Sequence, residues 1–144
     1  MAKVHKEIWI GAPLERIFDY LSDPTHLPEI WPSLMEVKDV EPLPNGGNKF
    51  RWAYKMLGLW FEGTAEDTRK VPYEFAVTET KGGIKSTVVW TFRSWQNRTR
   101  VTFTVEYKIP IPLLGKIAEA IILKINDQEG EILMANLQTR FMTV

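Results

Sequence analysis

The stretch IKSTVVWTFRSWQNRTRVTFTVEYKI, residues 84–109, decides the fold. It reads as two strands, 84–95 and 98–109, joined at Gln96-Asn97. Folding it there sets Phe92 opposite Val101, Trp90 opposite Phe103 and Val88 opposite Val105. Side chains alternate across a strand, so a one-residue slip would break this apolar matching. The other face of the hairpin collects Arg93, Arg100, Thr102 and Glu106.

Working outward, the same parity test applies upstream. A turn at Leu57-Gly58 between strands 48–57 and 59–68 sets Met56 opposite Leu59, Tyr54 opposite Phe61 and Trp52 opposite Gly63. A two-residue Gly82-Gly83 turn between strands 73–80 and 84–95 is a favoured hairpin chemistry. It would set Glu79 opposite Ser86, Val77 opposite Val88 and Phe75 opposite Trp90. With a further strand at 34–41, residues 34–109 form a six-stranded antiparallel meander with one face wet.

The flanks complete the plan. Val4 to Ile10 alternates as a strand. Pro13 then opens a helix carrying Leu14, Ile17, Phe18 and Leu21 at helical spacing. A second short helix fits His26 to Trp31. After Pro110-Ile111-Pro112, Leu113 to Phe141 reads as one long helix with Ile117, Ile121 and Ile125 in its apolar stripe. That stripe resumes, rotated, past Gly130, so a bend there is expected. The fold class is α+β: a seven-stranded curved antiparallel sheet gripping one long C-terminal helix, within a single domain spanning 1–144.

Composition narrows function. The 144 residues carry 18 Lys+Arg against 18 Asp+Glu, which argues against a general nucleic-acid binder. The chain has no cysteine, which excludes thiol nucleophiles and thiolate metal sites. Two separated histidines, His5 and His26, form no metal cluster, and no cofactor motif is visible. Without a secretory signal or an apolar span, a cytoplasmic location is expected. The unusual quantity is aromatic: six Trp, seven Phe and four Tyr, 12% of the chain.

The opening IGAPLERIFDYLSDP (residues 10–24) and the following LPEIWP (residues 27–32) resemble the START-like, or SRPBCC, superfamily. Within it the polyketide cyclase/dehydrase group is most similar, and the chain also resembles a small accessory subunit of carbon monoxide dehydrogenase. The segment PLLGKI (residues 112–117) and residues 133–141 resemble that group's final helix. The resemblance implies a helix-grip fold that holds a hydrophobic ligand between sheet and helix.

The inward face names a candidate wall. Trp52, Tyr54, Met56 and Phe61 come from the first hairpin; Phe75, Val88, Trp90, Phe103 and Tyr107 come from the later strands. Ile117, Ile121 and Ile125 would roof it. These residues either fill a core or line a cavity for a lipid-like or polycyclic small molecule. Glu79, Ser86 and Tyr107 are the candidate polar or catalytic groups, set to be cross-strand neighbours. A carboxylate beside a phenol in an apolar cleft can orient a ligand or move a proton. Alternatively, Glu79 is simply solvated at its strand end.

Leu57, Leu59, Trp60, Ile111 and Leu113 fall at one end of the sheet, fringed by Lys55, Lys81, Lys108 and Lys116. They make a candidate portal, with transient membrane contact as one use. Three functions stay open: a hydrophobic-ligand binding protein, a cyclase-type enzyme, and an accessory protein of a membrane or redox complex. The oligomeric state is not legible.

Overall fold

The computed structural model describes residues 2–111 and 115–142. Strand β1 (Ala2–Ile10) leads through α1 (Leu14–Ser22), a single turn at Pro24–His26 and α2 (Leu27–Ile30) into the meander. The meander consists of β2 (Leu34–Pro42), β3 (Asn48–Met56), β4 (Leu59–Val71), β5 (Phe75–Gly82), β6 (Ser86–Trp95) and β7 (Arg98–Tyr107), followed by α3 (Lys116–Arg140). The seven strands form one sheet in the order β1-β7-β6-β5-β4-β3-β2, antiparallel throughout. This is the helix-grip arrangement.

Two hairpins have the expected register, with Trp90 opposite Phe103 and Tyr54 opposite Phe61. Their two-residue turns carry positive φ at both positions: Leu57 and Gly58 in one, Gln96 and Asn97 in the other. Such turns twist with the strands they join, which offsets the cost of a left-handed Leu or Gln.

The third hairpin departs from expectation by one residue. Thr80, not Glu79, pairs with Ser86, and Ala76, not Phe75, pairs with Trp90. Gly82 and Gly83 do not make the turn alone. Gly82 pairs with Gly63, and the Gly83 N–H donates to the Glu62 carbonyl at 2.8 Å, so both glycines extend the contact with β4. The chain reverses through Ile84, whose side chain is buried and whose carbonyl accepts from Thr80 Oγ1. One extra residue in the connection turns every β5 side chain to the other face. On the other side of β5, Ala65 of β4 faces Thr80.

α3 lies across the sheet against β1. Its buried face is Ile122, Gly130, Leu133, Met134 and Leu137. A Cβ on Gly130 would stand 2.7 Å from Val4 Cγ1, so glycine here serves close approach to the sheet. The Lys6 ammonium ties the two elements together, meeting Asp127 at 2.9 Å and Glu131 at 3.4 Å.

Buried side chains fall into two clusters. One joins β1, α1, β6, β7 and the C-terminal half of α3 around Ile17, Val101, Phe103, Leu133 and Leu137. The other gathers Leu34, Phe50, Trp52, Met56, Ala65, Ile84 and Ile122. A strongly curved sheet gripping a straight helix cannot be filled evenly at native packing density. The space left between the clusters is the cavity.

A candidate ligand cavity between sheet and helix

The cavity has a volume of about 160 Å³ and draws its walls from both clusters. That is comparable with an apolar protein cavity that accepts benzene. Trp52, Tyr54, Met56, Val88, Trp90, Phe103 and Tyr107 all line it. Rings cross it in series. Trp90 and Phe103 have centroids 4.7 Å apart, Phe103 and Trp31 5.4 Å, and Trp31 and Tyr54 6.0 Å. The last two are edge-to-face pairs, the arrangement that ring quadrupoles favour.

Other expected wall residues lie elsewhere. Phe75 is turned to the outer face, where the Arg69 guanidinium sits 5.0 Å from its ring centre. Glu79 is exposed on that same face, beside Lys49, Glu66 and Lys81, so it is no neighbour of Tyr107. The one-residue offset of β5 accounts for both corrections. In their place Ala76, Thr78 and Thr80 face the cavity. Phe61 keeps its expected register but packs half-buried beside the second cluster, outside the lining.

The expected roof is also corrected. Ile117 is 80% exposed, Ile121 53% and Ile125 38%. The helix presents Asn126, Glu129, Gly130 and Leu133 to the cavity instead. These residues share a face with Ile122, on the 3.6-residue period, roughly 100° from the isoleucine ridge. No bend at Gly130 is needed to align this stripe.

Polar chemistry in the cavity centres on Glu129. Its Oε1 accepts from the Ser33 N–H at 2.9 Å and the Tyr54 hydroxyl at 3.2 Å, while Oε2 accepts from Ser33 Oγ at 2.5 Å. The Trp31 indole N–H donates to Tyr54 Oη at 3.3 Å. Ser33 is held by its carbonyl, which accepts from the Lys55 N–H as the chain enters β2. Burial, reinforced by the Glu129 charge, pushes the Tyr54 phenol well above its ordinary pKa, so it stays a donor.

A second polar group lies toward the paired ends of β6 and β7. Asn126 Nδ2 donates to Tyr107 Oη at 2.6 Å, and burial again raises the phenol pKa, partly opposed by Asn126. Ser86 meets Thr80 Oγ1 at 2.6 Å, and Thr80 has already given its proton to the Ile84 carbonyl, so Ser86 is the donor. Ser86 and Tyr107 are cross-strand partners, as expected. The carboxylate that joins a phenol in this cavity is therefore Glu129 with Tyr54, not Glu79 with Tyr107. Trp31, Ser33, Asn126 and Glu129 were not singled out from sequence. The available signal was the 122, 126, 129, 133 spacing, masked because two of its members are polar.

At the end of the sheet where Met56 and Ile84 line the cavity, Leu57, Leu59 and Trp60 are each half or more exposed. Ile111 packs half-buried against the neighbouring cluster. Leu113 lies outside the described residues. Among the described residues no helix is long and apolar enough to cross a membrane, and no group of three or more His, Cys, Asp or Glu gathers to hold a metal.

A curved seven-stranded sheet closed on a C-terminal helix over an aromatic cavity defines the START-like, helix-grip class. The chain belongs to the family described as polyketide cyclase / dehydrase and lipid transport, whose model matches residues 1–141. Solved structures share the fold. A protein of Thermus thermophilus is 21% identical, with 96% of each chain covered and a TM-score of 0.83. A START superfamily protein from Mycobacterium smegmatis is 15% identical, with 98% and 97% covered and a TM-score of 0.80. The Zhui aromatase/cyclase of a Streptomyces species is 12% identical, with 98% and 96% covered and a TM-score of 0.73. No curated protein matches the chain.

Proposed function

We propose that this protein binds an apolar, ring-containing or lipid-like small molecule in the cavity between the two side-chain clusters. The carrying observation is a void of about 160 Å³ bounded by Trp52, Trp90, Phe103, Tyr54 and Tyr107, with few polar groups reaching it. Apolar space of this kind gains free energy when a ligand supplies dispersion contacts to its walls. Membership of a family described by cyclase, dehydrase and lipid-transport activities supports a hydrophobic ligand. The cyclase-type alternative named Glu79, Ser86 and Tyr107; Ser86 and Tyr107 line the cavity, while Glu79 faces outward and takes no part in it.

Naphthalene is the first probe. At roughly 100 times its Kd it should raise the melting temperature by about 5–10 °C, since ligand binds only the folded chain. The variant Ala76→Phe, which fills the cavity from β5, should abolish the shift. An equal shift in both proteins would place binding elsewhere and defeat this reading.

The exposed rim supports a second reading, in which the portal touches an anionic lipid surface while ligand enters or leaves. Leu57 and Trp60 are each 53% exposed beside Lys55, and on α3 Ile117 and Ile121 are exposed in the turn that follows Lys116. Apolar tips with a lysine fringe suit the boundary between water and anionic headgroups. Co-sedimentation with phosphatidylserine-containing vesicles should drop several-fold in a Leu57→Ser/Trp60→Ser variant; equal co-sedimentation of the two proteins would exclude this contact.

A further inference from the structure

We infer that the cavity ligand carries a protonated amine, received by Glu129. This inference rests on the binding function proposed above and goes further by assigning the ligand its charge.

Three donors converge on the Glu129 carboxylate: the Ser33 N–H, the Ser33 hydroxyl and the Tyr54 hydroxyl. Tyr54 thereby commits its only proton to Glu129, and its oxygen already accepts the Trp31 N–H. The capacity left on Glu129 Oε2 and on Tyr54 Oη is lone-pair capacity. Glu129 and Tyr54 can therefore accept hydrogen bonds from a ligand, and neither has a proton left to donate. The hydroxyl that keeps a free proton is on Tyr107, which accepts from Asn126 and lies toward Ser86 on the other side.

Among the described residues, the ion pairs of the protein join other carboxylates, and none includes Glu129. The cavity's other charged groups, Asp67 and Lys70, are of opposite sign. Asp67 is occupied by the Asn48 N–H and the Thr78 hydroxyl, while the Lys70 ammonium lies 5.3 Å from the Phe18 ring centre. The three charged groups of the lining therefore sum to one negative charge. Glu129 is half-buried and already accepts three hydrogen bonds, and a ligand cation adds a charge-assisted bond to the lone pairs still open. The adjoining Trp31 and Tyr54 rings provide electron-rich faces that favour a cation further. An apolar ammonium satisfies the lone pairs, the charge and the rings together. A ligand carboxylate meets repulsion and no donor at the same place.

Isothermal titration of the folded protein near neutral pH with three matched probes tests the assignment: naphthylmethylamine, naphthylmethanol and naphthylacetic acid. The amine should bind roughly 10-fold or more tighter than the alcohol, because charge-assisted hydrogen bonds are the stronger ones, and the acid should be weakest. In Glu129→Gln the ratio of amine to alcohol affinity should collapse toward one. Equal amine and alcohol affinities in the wild type, or tightest binding of the acid, would overturn the inference while leaving the cavity reading intact. A ratio that persists in Glu129→Gln would overturn it as well. Binding of none of the three would remove both readings. The wild-type comparison stands alone if Glu129→Gln does not fold.

Discussion

Gly63→Ala should lower the unfolding free energy by roughly 3 kcal/mol or more, the upper end of what overpacking a tight site costs. A Cβ at this position would lie 2.0 Å from the Lys81 carbonyl oxygen and 2.6 Å from Trp52 Cζ2. Neither neighbour can yield cheaply. The carbonyl belongs to β5 where Gly63 pairs with Gly82, and Gly82 itself has a φ of +100°. The Trp52 indole is buried against Gly63, and its N–H has no partner among the described residues. A methyl group must therefore part β4 from β5 or drive the indole into the cavity. Urea denaturation of wild type and variant measures the loss. Gly11→Ala is the control, because nothing lies within 4 Å of its added Cβ, and its stability should stay within about 0.5 kcal/mol of wild type. A Gly63→Ala loss no greater than that of Gly11→Ala would show that the two strands separate freely.

Trp90→Ala should cost about 3–5 kcal/mol, the range for truncating a buried large aromatic. Trp90 begins the ring series through Phe103 and Trp31 to Tyr54, which links β6 to β3 across the space between the two clusters. Its loss removes a wall of the cavity and the tilted ring contact with Phe103 together. Naphthalene affinity should fall in the same variant, since the ring would contact fewer atoms. Denaturation midpoints and thermal shifts report the two effects separately. Unchanged naphthalene affinity would show that Trp90 serves the core alone.

Legibility in the sequence followed turn geometry. At Gln96-Asn97 and Leu57-Gly58, two residues reverse the chain, so the apolar alternation on each side fixes the partner strand and its face. At Gly82-Gly83 the same logic failed. The glycines are engaged by β4 through Gly63 and Glu62, a contact between strands distant from the turn. That engagement moved Glu79 and Phe75 outward and brought Thr78 and Thr80 in.

α3 shows the converse effect. Ile117, Ile121 and Ile125 form the more apolar stripe of its first half, yet they face solvent, while Asn126, Glu129 and Gly130 face inward. Hydrophobicity favours burying the isoleucines, but Gly130 is where the helix can approach Val4 closely. Lys6 meets Asp127 and Glu131 on the same side. Burial of Ile122, Leu133, Met134 and Leu137 together with the close approach at Gly130 outweighs the local pattern, and the result places one carboxylate in an aromatic cavity.

The sequence alone determined the helix-grip architecture, the order of its elements and the aromatic face of β3, β6 and β7. These follow from side-chain alternation, turn residues and helical periodicity, all local along the chain. Only the tertiary structure decided the register of β5, the rotation of α3 and the pairing of Tyr54 with Glu129. Those depend on backbones meeting at Gly63 and Gly130, residues whose missing side chains leave no pattern to read until the opposing strand is in place.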